Sequence, residues 1–220
     1  MTSVAINPRG RAVCWAGALL FAAGTPAFLF AQTELQNPLR ITVMTGGLTP
    51  RSAVIVAASG GGDTRLSAAP AFGIDLQYRT FSRASIYGSA AVAFATLQHG
   101  TSLGASVGGS SSDATIMVGT AGLVLDAPSD WFGTAFRPYA RAGGGGKRYS
   151  FSTRGASSFI TGTGDFGLGF RAGNGSVEVA AEVRYLPSVF DQGKLPTRGI
   201  VAQDQRQTDL LFGIGVTVRP

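Results

Sequence analysis

The segment Asp209-Leu-Leu-Phe-Gly-Ile-Gly-Val-Thr-Val218 decides the fold class. Leu210, Phe212, Ile214, Val216 and Val218 alternate with Leu211, Gly213, Gly215, Thr217 and Arg219. One set is bulky and apolar, the other mostly small or polar. Successive strand residues point to opposite faces, so a strand separates the two sets, whereas a helix of period 3.6 would mix them.

The same alternation recurs upstream. Val177, Val179, Ala181, Val183 and Tyr185 alternate with Glu178, Ala180, Glu182, Arg184 and Leu186. Phe72, Ile74, Leu76 and Tyr78 alternate with Gly73, Asp75, Gln77 and Arg79, and Ile160, Phe166, Leu168 and Phe170 oppose Asp165, Gly167, Gly169 and Arg171. Further strands are expected over 39–47, 84–97, 114–126 and 136–147, which makes eight. The 114–126 stretch alternates poorly, and its facing stays unassigned. After residue 38 no segment has a helical period. The connections fall at 48–67, 80–83, 98–113, 127–135, 148–157, 173–175 and 188–206, long and short in strict alternation. The short ones hold turn residues, Ser82-Arg83, Pro128-Ser129-Asp130 and Gly173-Asn174-Gly175. The long ones are rich in Gly, Ser and Asp, as in Gly108-Gly-Ser-Ser-Ser-Asp113.

An up-and-down meander with tight turns at one end and long loops at the other is the layout of a transmembrane barrel. In hydrocarbon every backbone N–H and C=O must be paired internally, so a sheet has to close on itself. Strands of about 9–11 residues suffice to cross at the usual tilt. The expected fold is all-β, an eight-stranded antiparallel up-and-down transmembrane β-barrel, with its apolar face toward lipid. The alternative is a soluble periplasmic barrel, of lipocalin type, or a sandwich, with the apolar face inward. Gly73, Gly143, Gly145, Gly167, Gly169, Gly213 and Gly215 fall on the inner face, where they would relieve crowding. Tyr78, Phe81 and Tyr185 would sit at the water–lipid boundary.

Ahead of the strands, Arg9 and Arg11 precede the apolar run from Trp15, and Ala27-Phe-Leu-Phe-Ala31 precedes Gln32. Basic residues, an apolar core and a small residue before a polar stretch match a cleaved export signal over 1–31. A short N-terminal segment, 32–38, and the barrel, 39–220, complete the expected organisation. Cleavage would remove Cys14, the one cysteine, so no disulfide framework is available. The net charge of +6 comes without a Lys/Arg run, and an exported chain does not meet nucleic acid. With only 14% of residues charged and 10% aromatic, the chain is not a disordered one.

Residues 39–220 resemble the small outer-membrane β-barrel family that includes the transmembrane domain of outer membrane protein A and the opacity-type proteins. Ala71-Phe-Gly-Ile-Asp-Leu-Gln-Tyr78 and Asp209–Val218 carry the likeness best. Family members usually end on an aromatic residue, and Val218-Arg219-Pro220 departs from that. The resemblance implies a Gram-negative outer membrane, short periplasmic turns and long outer loops. It also implies outer-membrane lipid, lipopolysaccharide and the outer-membrane assembly machinery as partners, with a monomer as the expected state. Its members act as structural barrels, adhesins, narrow pores and enzymes. A structural or surface-interaction role is expected here, with a narrow channel as the alternative and a lipid A-modifying enzyme as the third reading.

Lipid A-modifying barrels use a histidine with a serine and a carboxylate. The lone His99 stands in Leu97-Gln98-His99-Gly100-Thr101-Ser102, and Asp113 closes the same connection. It reads as a solvated loop histidine rather than a catalytic base, so the chain is expected to be no enzyme. No cofactor is expected either, because the runs Gly60–Gly62 and Gly143–Gly146 lack the strand-to-helix context of a phosphate loop.

The inner faces carry Arg40, Asp75, Arg79, Arg137, Arg141, Asp165, Arg171, Glu178, Glu182, Arg184, Asp209 and Arg219. Mixed signs in a narrow lumen should pair, because an unpaired buried charge is costly. A lumen charge network is therefore expected, with a selective ion path as the alternative. In the long connections Arg51, Arg65, Lys147, Arg148, Arg154, Lys194, Arg198 and Arg206 outnumber Asp63, Asp113, Asp191 and Asp204. Lys147, Arg148 and Arg154 are the expected contacts to an anionic surface such as lipopolysaccharide phosphate.

Overall fold

The computed structural model describes residues 38–51, 53–55, 64–99, 112–128, 135–152, 158–173, 175–190 and 205–220. The expected export signal, 1–31, lies outside the described residues. The strands are β1 (Leu39–Pro50), β2 (Ala53–Ile55), β3 (Thr64–Leu66), β4 (Ala69–Arg79), β5 (Ala84–His99), β6 (Ser112–Asp126), β7 (Phe136–Phe151), β8 (Phe159–Ala172), β9 (Val177–Phe190) and β10 (Gln205–Val218).

Eight long strands pair antiparallel, each with its chain neighbours, and the sheet closes where β1 meets both β4 and β10. Thr42 marks the seam, opposite Thr217 on one side and Asp75 on the other. Closure leaves no row of unpaired backbone groups, which hydrocarbon requires. The remaining two strands were not expected. β2 and β3 form a small hairpin inside the 48–67 connection, and β3 pairs with Leu97–His99 of β5. β5 runs beyond its expected end and offers a free edge that β3 covers.

Leu168 is 70% exposed and Ile214 63%, whereas Asp165 is 0% and Arg184 1% exposed. A soluble barrel would reverse that order. The apolar surface is on the outside and the charges are within, as in a transmembrane barrel. β6 now has a facing: Ala114, Ile116, Val118, Thr120, Val124 and Asp126 point inward, and Met117, Gly119, Ala121, Leu123 and Leu125 outward.

The strict alternation of connection lengths does not hold. β7 continues to Phe151, past its expected end at 147, so the 152–158 connection is shorter than the 127–135 turn. There Tyr149, Phe151 and Phe159 stack on one another and Phe190 meets them edge-on. We call the end with 80–83, 127–135 and 173–176 the turn end, and the other the loop end.

Inner-face glycines make room for specific side chains. A Cβ on Gly169 would lie 2.5 Å from Tyr139 Oη, and one on Gly143 would lie 2.4 Å from Tyr87 Oη. Gly169 is the ladder partner of Tyr139, and Gly143 lies two strands from Tyr87, so each ring lies along the inner wall over a glycine to reach Glu182 and Asp165 beyond it.

Candidate functional site

The lumen has three tiers. At its waist, Asp165 of β8 is the hub. Its Oδ2 accepts from Tyr87 Oη (2.8 Å), Thr120 Oγ1 (2.7 Å), Arg141 Nη2 (3.2 Å) and Arg184 Nη2 (2.6 Å), while Oδ1 accepts from Arg184 Nε (3.0 Å). Arg141 Nη1 also reaches Asp75 Oδ2 at 2.8 Å and Glu182 Oε2 at 3.1 Å. Tyr139 donates to Glu182 at 2.8 Å, and Arg184 to Ser89 at 2.9 Å. The Arg141 guanidinium lies 3.9 Å from the centre of the Tyr87 ring, which adds a cation–π contact. Met44 fills the sector in front of β10, where Gly215 leaves it space.

Below, at the turn end, Asp126 gathers Arg171 (2.8 Å), Arg40 (3.2 Å) and Arg79 (3.7 Å), and Arg171 also donates to Gln77 at 2.7 Å. Glu178 takes both Arg137 and Arg219 on one oxygen. Burial, together with the neighbouring guanidiniums of Arg40, Arg79 and Arg171, holds Arg219, beyond the end of β10, below the ordinary arginine range.

Above, at the loop end, the lumen is largely apolar, around a buried charge pair. Leu48, Leu66, Ala69, Ala71, Ala93, Ala95, Ala114, Ile116, Val118, Tyr149, Phe159, Leu186, Phe190 and Leu211 form one buried cluster. Within this tier, Lys147 Nζ donates to Asp209 Oδ2 at 2.6 Å, Ser188 Oγ at 3.0 Å and the Leu186 carbonyl at 3.3 Å. Gln207 holds the other Asp209 oxygen at 2.8 Å.

These positions correct one expectation. Lys147 is no rim contact: it is fully buried in the wall of β7, facing inward and neutralised by Asp209. The following residue, Arg148, faces outward and is exposed, three residues from the loop end of β7. Arg154 lies outside the described residues. Asp75, Arg79, Arg137, Arg141, Asp165, Arg171, Glu178, Glu182 and Arg184 all project inward, divided between the waist and the turn end. Asp126, Tyr87, Tyr139 and Thr120 join them without having been singled out. As for the candidate catalytic set, His99 closes β5, Asp113 lies in β6 with its backbone N–H donating to Ser152 Oγ at 3.1 Å, and Ser102 lies outside the described residues.

On the outer wall, small residues open a shallow groove. Gly119, Gly146 and Ala90 lie at its floor, Phe72, Ile74, Met117 and Ile160 line it, and Arg148 is part of the same lining.

Comparison with solved structures places this architecture. Neisserial surface protein A aligns over 83% of this chain and 97% of its own, with a TM-score of 0.54 and 15% identity. OprG, an outer membrane protein from Pseudomonas aeruginosa, aligns over 81% of this chain and 94% of its own, with a TM-score of 0.54 and 14% identity. The chain has the fold of the small outer-membrane β-barrels. No family model and no curated protein sequence matches it. The likeness therefore lies in closure, strand number and facing rather than in shared residues.

Proposed function

We propose that this chain is a monomeric, non-catalytic and non-conducting outer-membrane barrel with a structural or surface-interaction role, inserted by the outer-membrane assembly machinery. One observation carries the reading. At the waist, Asp75, Tyr87, Tyr139, Arg141, Asp165, Glu182 and Arg184 close on one another within hydrogen-bonding distance, and the apolar cluster stands above them. An ion would have to break several charge-assisted bonds and then cross a largely apolar tier whose ion pair, Lys147–Asp209, is already satisfied, each step unfavourable. The expected result in planar bilayers is no stable current from the refolded chain. Large, reproducible single-channel steps would establish the narrow channel instead.

The surface role has its own supporting observation. The groove on the outer wall offers an apolar bed for an acyl chain, and Arg148, near the loop end, offers a guanidinium to a phosphate above it. Lipopolysaccharide combines these two parts, and Arg pairs well with phosphate. Arg154 is a second candidate on the same reading. Arg148→Gln is expected to reduce lipopolysaccharide retained on purification severalfold, with Arg83→Gln, an exposed arginine at the turn end, as the unaffected control. Equal retention by both variants would remove this contact from the reading.

A further inference from the structure

Among the described residues, the turn-end mouth holds more positive charge than its carboxylates can neutralise. Arg40 of β1, Arg79 of β4, Arg137 of β7, Arg171 of β8 and Arg219 beyond β10 face two acids, Asp126 and Glu178. Both acids are already shared, Asp126 among three guanidiniums and Glu178 between two. The tier above does not restore the balance, since Asp75, Asp165 and Glu182 outnumber Arg141 and Arg184 by a single charge.

Donor capacity is in surplus too, three buried Nε–H groups standing against one unpartnered carboxylate oxygen, Glu178 Oε2. The Nε–H groups of Arg79, Arg137 and Arg219 are buried and have no acceptor among the described residues. These three are also the arginines of the mouth that keep contact with solvent, their side chains being 31%, 19% and 22% exposed, whereas Arg171 is 1% exposed. Unpartnered donors on cationic groups that solvent can reach favour an incoming anion over continued isolation. Guanidinium forks converging from several strands suit an oxyanion with several acceptor oxygens better than a spherical halide.

We propose that the turn-end mouth is a binding site for a phosphate group, held by Arg79, Arg137 and Arg219. The side chains face the barrel axis, so the group enters from the water at the turn end, as free phosphate or a soluble phosphate monoester. A phospholipid headgroup bending over the rim would offer the same chemistry.

The test uses the full chain folded in zwitterionic detergent micelles, with inorganic phosphate titrated against chloride at constant ionic strength and followed by calorimetry. One saturable site is expected. Arg219→Gln and Arg137→Gln should each weaken it about tenfold, the effect of one charge-assisted hydrogen bond. Arg83→Gln, exposed at the same end, should leave it unchanged. Heat-modifiable gel mobility reports folding of each variant. If Arg137→Gln fails to fold, Arg219→Gln, which lies outside every strand, carries the comparison alone. Repeating the titration in vesicles with and without anionic phospholipid identifies the source. Competition by that lipid assigns the site to a headgroup phosphate, and its absence assigns the site to the free ion. No saturable heat, or equal weakening by Arg83→Gln, overturns the proposal.

Discussion

Asp165→Leu is expected to destabilise the folded barrel by about 3–5 kcal/mol, the cost of leaving buried charges without their partner. Asp165 is fully buried and satisfies Tyr87, Thr120, Arg141 and Arg184 together. The four do not lose equally. Arg141 keeps Asp75 and Glu182, and its guanidinium still lies over the Tyr87 ring. Among the described residues, Arg184 keeps only hydroxyl acceptors at hydrogen-bonding distance, Ser89 and Thr120, with Glu182 at 3.9 Å. Most of the penalty should therefore come from Arg184. A double variant tests that assignment, because replacing both partners of a buried ion pair by apolar residues often restores most of the loss. Asp165→Leu with Arg184→Leu should be more stable than Asp165→Leu alone, giving a coupling energy of about 0.5–3 kcal/mol typical of residues in one network. The measurement is a urea titration of each variant refolded in lipid vesicles. A single-variant loss below about 1 kcal/mol, or strictly additive variants, would show that the waist is held by something other than this hub.

The facing of most strands was legible because inner and outer faces differ in kind. β10 sets Leu210, Phe212 and Ile214 against Gly213, Gly215 and Thr217, and β9 sets valines against Glu178, Glu182 and Arg184. β6 was not legible, since the chemistry of its inner face changes along the strand. That face is apolar at the loop end, with Ala114, Ile116 and Val118, and mixed toward the turn end, where Thr120 and Asp126 flank Val124. Its outer face meanwhile carries Gly119 and Ala121, so neither face keeps a single character. Asp126 was missed for that reason, although it stands six residues from Thr120 on the same side.

Lys147 illustrates a different error. It lies an even number of residues from Arg141, so strand periodicity alone puts both on the inner face. Taking Lys147 as the strand's end, beside Arg148, read two basic residues as a loop. In the structure the strand continues, and the two point in opposite directions. The contacts of the waist were beyond reach for a third reason. Asp165 of β8 meets Thr120 of β6 over the intervening β7, and Tyr87 of β5 one strand further, whereas sequence patterns inform only on facing and on neighbouring strands. Curling of the sheet about the lumen, not local pattern, brings those residues together.

The outward assignment of the apolar face carries the second large effect. Ile214 faces away from the lumen, opposite Thr45 on β1 and Ala181 on β9. It stands four residues inside the turn end of β10, and about 9–11 residues cross the hydrocarbon, so Ile214 falls near the midplane. Ile214→Arg then puts a guanidinium in hydrocarbon, at a cost of roughly 2–4 kcal/mol. Val218 points the same way but closes the strand, opposite Ile41 and Val177. Val218→Arg can place its charge among headgroups and should cost about 0–1 kcal/mol. Both side chains are exposed at the barrel surface, 63% and 41%, so neither substitution overpacks an interior. The contrast between the two variants isolates depth in the membrane from every penalty they share. Refolding into vesicles followed by denaturant titration measures it. Equal penalties at the two positions would mean that the wall around β10 does not face hydrocarbon, because only a depth-dependent solvent can distinguish two outward residues on one strand.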